Sequence, residues 1–202
     1  MPGVASLLIL FAALRAFSFG LAMVPTSLAH DELLSVTKYQ AHGPLFALTT
    51  YDEPNNHILF NALAALLPWR GSAMPVAARA IPIASVAALF VLLAAWLWRR
   101  GRRWEAALLV TLLGRNPVLL GLWLLARGYG ALALWAALAA LLAIEWERTG
   151  RSAFLAGVAA AVALGTWTVP TFLLFGAPLL LLLVLGRPSS RTLAAGGRFH
   201  LL

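Results

Sequence analysis

The stretch VAARAIPIASVAALFVLLAAWLW, Val76 to Trp98, followed at once by Arg99-Arg100-Gly101-Arg102-Arg103, decides the fold. A helix needs roughly 20 mostly apolar residues to cross the hydrocarbon of a bilayer, and a run of arginines at its end marks the water on the cytoplasmic side. Apolar runs of the same kind recur on both sides of it: Val4 to Val24, Ala106 to Ala126, Ala131 to Ile144 or a little beyond, Phe154 to Pro170, and Thr171 to Leu185. Across the chain, 62% of residues are hydrophobic and 11% charged, too little polar surface to cover a water-soluble globule. The expectation is an all-α, polytopic transmembrane helix bundle of about six spans.

The first run carries a charge at Arg15, and Ser27-Leu28-Ala29 has the small residues of a cleavage site. Against a signal peptide, nothing basic precedes the apolar stretch, which exceeds the usual ~7–15 residues. An uncleaved first helix is expected. Asn116-Pro117 interrupts the third run, because proline removes a backbone donor and clashes with the preceding turn, so that span is expected to end or bend there.

Between Pro25 and Pro75 the chain turns polar and holds Asp31, Glu32, Asp52, Glu53, His30, His42 and His57. This is the one long loop. His57 to Leu67 reads within it as a short helix with Ile58, Leu59, Leu63, Leu66 and Leu67 at helical spacing, suited to lying at the interface, with Trp69 at headgroup level. Arg99, Arg100, Arg102, Arg103, Arg148, Arg151, Arg187, Arg191 and Arg198 fall on one side of the bundle; Lys38, Arg70, Arg79 and Arg127 fall on the other. The positive-inside rule makes the first side cytoplasmic, puts the amino terminus there, and turns the long loop to the outside of a cell membrane. Residues 1–186 form the transmembrane region, with the outer loop at 25–75. Residues 187–202 read as a cytoplasmic tail of a chain expected to continue.

The net charge of +8 is explained by these arginine loops, so no nucleic-acid partner is inferred. With no cysteine, disulfides and thiolate metal sites are excluded. No phosphate-binding glycine loop, His-Glu-x-x-His or nucleophile elbow is present, which removes support for those hydrolase and metalloprotease mechanisms.

Four features stand out. His30-Asp31-Glu32 follows the first span, where a carboxylate at a membrane boundary can take a proton from a hydroxyl; the bland alternative is a solvated acid pair with Asp31 as helix N-cap. Tyr51-Asp52-Glu53-Pro54-Asn55-Asn56-His57 offers a carboxylate and an imidazole, Glu53 and His57, that could share a divalent metal, or equally forms a turn that opens a helix. Arg127-Gly128-Tyr129-Gly130 sets a guanidinium at the boundary, able to fork onto a phosphate, with glycines that allow close approach; the alternative is an interfacial Arg and Tyr anchoring a hairpin. Arg15 and, if the third span is continuous, Arg115 lie within apolar runs and call for a partner or a water-filled cavity; the alternative for Arg115 is a place near a helix end beside Asn116-Pro117.

In this order the features resemble the membrane glycosyltransferases of the GT-C superfamily, especially bacterial relatives of protein O-mannosyltransferases and aminoarabinose transferases. The likeness rests on the Asp31-Glu32 pair opening a long outer loop, on Asn55-Asn56-His57-x-Leu59, and on Arg127-Gly128-Tyr129, and corresponds to an amino-terminal portion. It implies a transferase that moves a sugar from a polyprenyl-phosphate donor to a glycan, lipid or protein acceptor. It further implies Asp31 as base with Glu32 beside it, Arg127, Tyr129 and Asn56 contacting substrate or phosphate, and Glu53 and His57 as ligands of a metal, should one take part. Family members are usually longer, so this chain alone is expected to be incomplete. Two other readings stand beside it: a small transporter with Arg15 and Arg115 along its path, and a non-catalytic membrane scaffold.

Overall fold

The computed structural model describes residues 2–23, 27–53, 56–67 and 74–186. Pro54, Asn55, Trp69, Arg70 and the tail from Arg187, all singled out above, lie outside them. Every described element is helical, and no strand occurs among these residues.

Apolar side chains all round, with no charge but Arg15, make α1 over Pro2–Met23. The polar segment folds as short pieces: α2 at His30–Leu34, which runs on through a wider turn at Ser35–Tyr39 and a tight one at Gln40–His42, then α3 at Pro44–Thr49 and α4 at Ile58–Ala64. Gly43, at φ +92°, allows the chain to reverse before Pro44 begins α3. The decisive stretch forms α5, Met74–Arg99. Next come α6, Arg103–Arg115, and α7, Pro117–Trp123, bent 75° from each other. The bend falls at the expected dipeptide: Asn116 leaves helical geometry and its side chain accepts the Val118 and Leu119 N–H groups at 3.1 and 3.0 Å, capping α7. Last are α8 at Tyr129–Thr149, α9 at Ser152–Thr168 and α10 at Leu173–Leu185, the last two joined by a single tight turn at Pro170–Phe172.

Among the described residues, three helices are long and apolar enough to cross a membrane: α1, α5 and α8. A fourth crossing arises if α6 and α7 together make one bent span. The runs expected as a fifth and sixth span form helices, but shorter ones, Ser152–Thr168 and Pro170–Leu185. Large apolar side chains face outward along α1, α6 and α10, among them Leu7, Phe11, Leu14, Leu108, Leu174 and Leu182, as a surface that meets lipid requires.

Among the described residues, packing has two larger apolar centres. Ala12 and Ala16 of α1 meet Val86, Leu89 and Phe90 of α5, Val110 of α6 and Leu120 of α7. Ala139, Ala143 and Trp146 of α8 meet Val158, Ala161 and Val162 of α9. The line where α5 packs on α8 joins them. A smaller centre of Val36, Phe60, Ala64, Ala78 and Ala126 seats the polar segment on the bundle. There α4 differs from its expected face. Phe60, Asn61, Ala62 and Ala64 are buried, while Leu63 and Leu66 are exposed. Asn61 turns inward because a chain of amides awaits it.

Candidate functional site

Where α1 ends, α2, α4, the start of α5 and the link between α7 and α8 meet. Glu32 sits in the first turn of α2, yet its side chain is 1% exposed. Burial of a carboxylate demands partners, and it has four: the Ala29 N–H at 2.7 Å, the Ala126 N–H at 2.5 Å, and Arg79 through Nε at 3.3 Å and Nη2 at 3.1 Å. Arg79, equally buried, also donates to the Met23 carbonyl and, at 3.4 Å, to the Ser27 carbonyl. One ion pair thus ties the end of α1, the start of α2, α5 and the α7–α8 link. Arg79 was counted above only as a loop charge. It stands a few residues inside the apolar run of α5, and the rule that a cation at such a place needs an acid, applied above to Arg15 and Arg115, would have found it.

Asp31, next in sequence, points the other way. Its side chain is 59% exposed, and Oδ2 accepts Arg127 Nη1 at 2.6 Å. Oδ1 makes no hydrogen bond with the described residues. Asp31 is not the N-cap proposed as the bland alternative; Ala29 holds that position, and Glu32 reaches back to its N–H.

Arg127 is 4% exposed and lies between Asp31 and His57. His57, fully buried, has Nε2 3.1 Å from Arg127 Nε and Nδ1 3.0 Å from the Gly128 N–H. Both neighbours are donors. A neutral imidazole can accept at one nitrogen only, and a doubly protonated ring would oppose both donors with its own N–H groups. Burial, and then the charge of Arg127, push the His57 pKa down to about 3. Tyr129 packs edge-on against the imidazole at 4.9 Å, with its ring centroid 5.6 Å from the Arg127 guanidinium carbon. The two glycines are there for space: a Cβ on Gly128 would fall 2.7 Å from His57 Nδ1 and 2.8 Å from Thr168 Cγ2, and one on Gly130 would fall 2.6 Å from the Trp123 carbonyl oxygen.

Asn56 is buried and used internally. Its Nδ2 donates to the Thr50 carbonyl at 2.8 Å and its Oδ1 accepts Asn61 Nδ2 at 2.8 Å, while Asn61 Oδ1 accepts Gln40 Nε2 at 2.7 Å. Glu53 belongs to a third group, in which Lys38 Nζ lies 2.7 Å from Glu53 Oε1 and 2.9 Å from Asp52 Oδ2, and Tyr39 donates to Asp52 Oδ1 at 2.6 Å. Hydrogen bonds to Glu53 and Asp52 push the Lys38 pKa up. Burial, with the bond to Asp52, raises the Tyr39 pKa to about 12, while bonds from Tyr39 and Lys38 lower that of Asp52.

The structure therefore brings Asp31, Arg127, His57 and Tyr129 into one cluster, adds Glu32 through its own pair with Arg79, and gives Asn56 and Glu53 other partners. As arranged, His57 and Glu53 do not fit a cation: both imidazole nitrogens face N–H groups and the carboxylate is held by Lys38. Among the described residues, no group of three His, Asp or Glu converges on a point that could hold one. Arg15 and Arg115 are exposed on α1 and at the end of α6. Gln40, Asn61 and Arg79 are site residues that the sequence reading passed over. Comparison with models of known families, with curated proteins and with solved structures finds no match to this chain.

Proposed function

We propose that this chain carries the acceptor-side machinery of a glycosyltransferase that uses a polyprenyl-phosphate sugar. The observation that supports it is Asp31: an exposed carboxylate with one oxygen held by a buried arginine and the other without a bond to the described residues, anchored from below by the buried Glu32–Arg79 pair. Asp31 accepts the proton of the acceptor hydroxyl as its oxygen bonds to the anomeric carbon. The bond from that carbon to the lipid phosphate breaks, its electron pair leaves with the phosphate, and Arg127 is the cation placed beside the base to offset that charge. His57 and Gly128 hold Arg127 and its loop in register, with Tyr129 packed behind. No step passes through a metal, in keeping with the partners of Glu53 and His57.

In the same proposal the chain is a multi-pass protein of a cell membrane with about six spans, α9 and α10 completing the set, and its amino terminus is cytoplasmic. The polar segment faces outside, with exposed Leu63 of α4 and Leu66 just after it meeting the interface. Arg15 and Arg115, which a transport reading would set along a path, are exposed on α1 and at the end of α6.

The test is transfer of radiolabelled sugar from polyprenyl-phosphate donors in membranes carrying the protein. Transfer that is lost in Asp31→Asn and in Arg127→Gln, with insertion unchanged, is the expected result. Transfer undiminished in Asp31→Asn overturns the assignment of the base, and flux of a solute into vesicles without any transfer product replaces the enzyme reading by transport.

A further inference from the structure

The opposite end of the bundle holds a cavity of about 530 Å³ between α5 and α8, closed on one side by Phe154 of α9. Its rim and its depth differ in character. Three arginines, Arg99, Arg100 and Arg148, face it together with one acid, Glu145, whereas Leu92, Leu138 and Leu142 line the part toward the middle of the helices.

The acid is already occupied. Arg100 bonds to Glu145 Oε1, Trp96 Nε1 donates to the same oxygen at 3.0 Å, and the Arg100 guanidinium carbon stacks 3.6 Å from the Trp96 ring centre. Arg100 is thereby fixed as a wall. Arg148 touches Glu145 only at 3.4 Å and is 58% exposed, and Arg99 is exposed with no hydrogen bond or ion pair to the described residues. The rim therefore carries three arginines against one carboxylate, an excess of positive charge above an apolar slot, on helices long enough to cross a bilayer.

We propose that this cavity binds an anionic membrane phospholipid, with its phosphate between Arg99 and Arg148 and an acyl chain along Leu92, Leu138 and Leu142. Each part of the cavity matches one part of that ligand. Guanidinium groups fork onto phosphate oxygens, and basic pockets between membrane helices suit anionic headgroups. The slot takes the chain that free phosphate lacks. A zwitterionic lipid fits less well, because its ammonium group would need a carboxylate and the only one in the cavity is bonded to Arg100 and Trp96. The Trp96 ring stiffens Arg100 and so keeps it from folding across the opening. This site is independent of glycosyl transfer and lies at the other end of α5 from Arg79.

The experiment is native mass spectrometry of the delipidated protein in detergent, titrated with phosphatidylglycerol, with phosphatidylcholine, or with inorganic phosphate. Phosphatidylglycerol should bind in preference to both. Arg99→Gln combined with Arg148→Gln should weaken it by on the order of tenfold to thirtyfold, as expected for two surface arginines on an anionic lipid. A charge-matched control, Arg102→Gln with Arg151→Gln, removes two arginines that do not line the cavity and should change binding less than threefold, on the order of a minor surface effect. Glu145→Gln, which removes the negative charge, should bind the lipid at least as well as wild type. Equal losses in the two arginine pairs would reduce the effect to diffuse surface charge and overturn the proposal. So would phosphatidylcholine binding as well as phosphatidylglycerol, or inorganic phosphate binding as tightly as the lipid.

Discussion

Removing both partners of the Glu32–Arg79 pair should destabilise the protein by less than the sum of the two single removals. The two side chains are each about 1% exposed, so each charge depends on the other. In Arg79→Met the carboxylate keeps the Ala29 and Ala126 N–H groups but loses its one ion-pair partner among the described residues. In Glu32→Gln the guanidinium keeps the Met23 and Ser27 carbonyls, while the new amide NH₂ must face a backbone donor that the carboxylate oxygen had accepted. Breaking a buried pair on one side costs about 3–5 kcal/mol, because an uncompensated charge is left behind. The combined variant leaves no buried charge, so it should be about 1–3 kcal/mol less destabilised than the sum of the two single changes. Unfolding in detergent micelles, followed by helix content, supplies the cycle. Single variants each within about 1 kcal/mol of wild type, as an exposed pair would give, or strict additivity, would refute the reasoning.

Three further outcomes are expected. His57 is neutral in the fold with a pKa near 3 and takes up a proton near 6.5 when unfolded, so the unfolded chain binds more protons between these values and stability falls as pH falls. From pH 6.5 to about 4.5 this loss is about 2 kcal/mol, and His57→Asn should flatten it; an unchanged slope in that variant removes His57 as its source. Gly130→Ala should lower the melting temperature more than Gly128→Ala, since its Cβ meets the Trp123 backbone carbonyl at 2.6 Å while that of Gly128 meets side chains. Overpacking of about 1–3 kcal/mol exceeds the gain of at most about 1 kcal/mol in helix propensity at Gly130, so a more stable Gly130→Ala protein would contradict the close approach. Asn116→Ala removes the cap of α7 and should cost about 1 kcal/mol in thermal unfolding; no change would mean that Pro117 alone holds the bend.

The helices were legible because lipid-facing segments announce themselves by length and uniform apolarity, and the bend at Asn116-Pro117 by its missing donor. Crossing number was less so: residues 152–168 and 170–185 are apolar enough, but their length places them at the limit of a span. In the site, the pairing of Asp31 with Arg127 joins two motifs singled out separately, yet their contact spans nearly a hundred residues and no local spacing encodes it. Arg79 was hidden by its surroundings, since a single arginine near the start of an apolar run is easily assigned to the loop before it. Glu53 and His57 are close in sequence, and that closeness suggested a shared ligand. Lys38 and Arg127, distant in the chain, claim them instead.

The Glu32 anchor also has a history in time. Arg79 is made 47 residues after Glu32 and Ala126 94 residues after it. With synthesis at roughly 5–20 residues per second, the carboxylate waits about 2–10 s for its cation and about 5–20 s for its last backbone donor. Until then it has no reason to leave water, so α2 is held off the bundle while α5 and α7 are laid down. Its docking waits on residues made later: the segment bearing Asp31 is among the first to leave the ribosome, yet its anchor is complete only once Ala126 has followed.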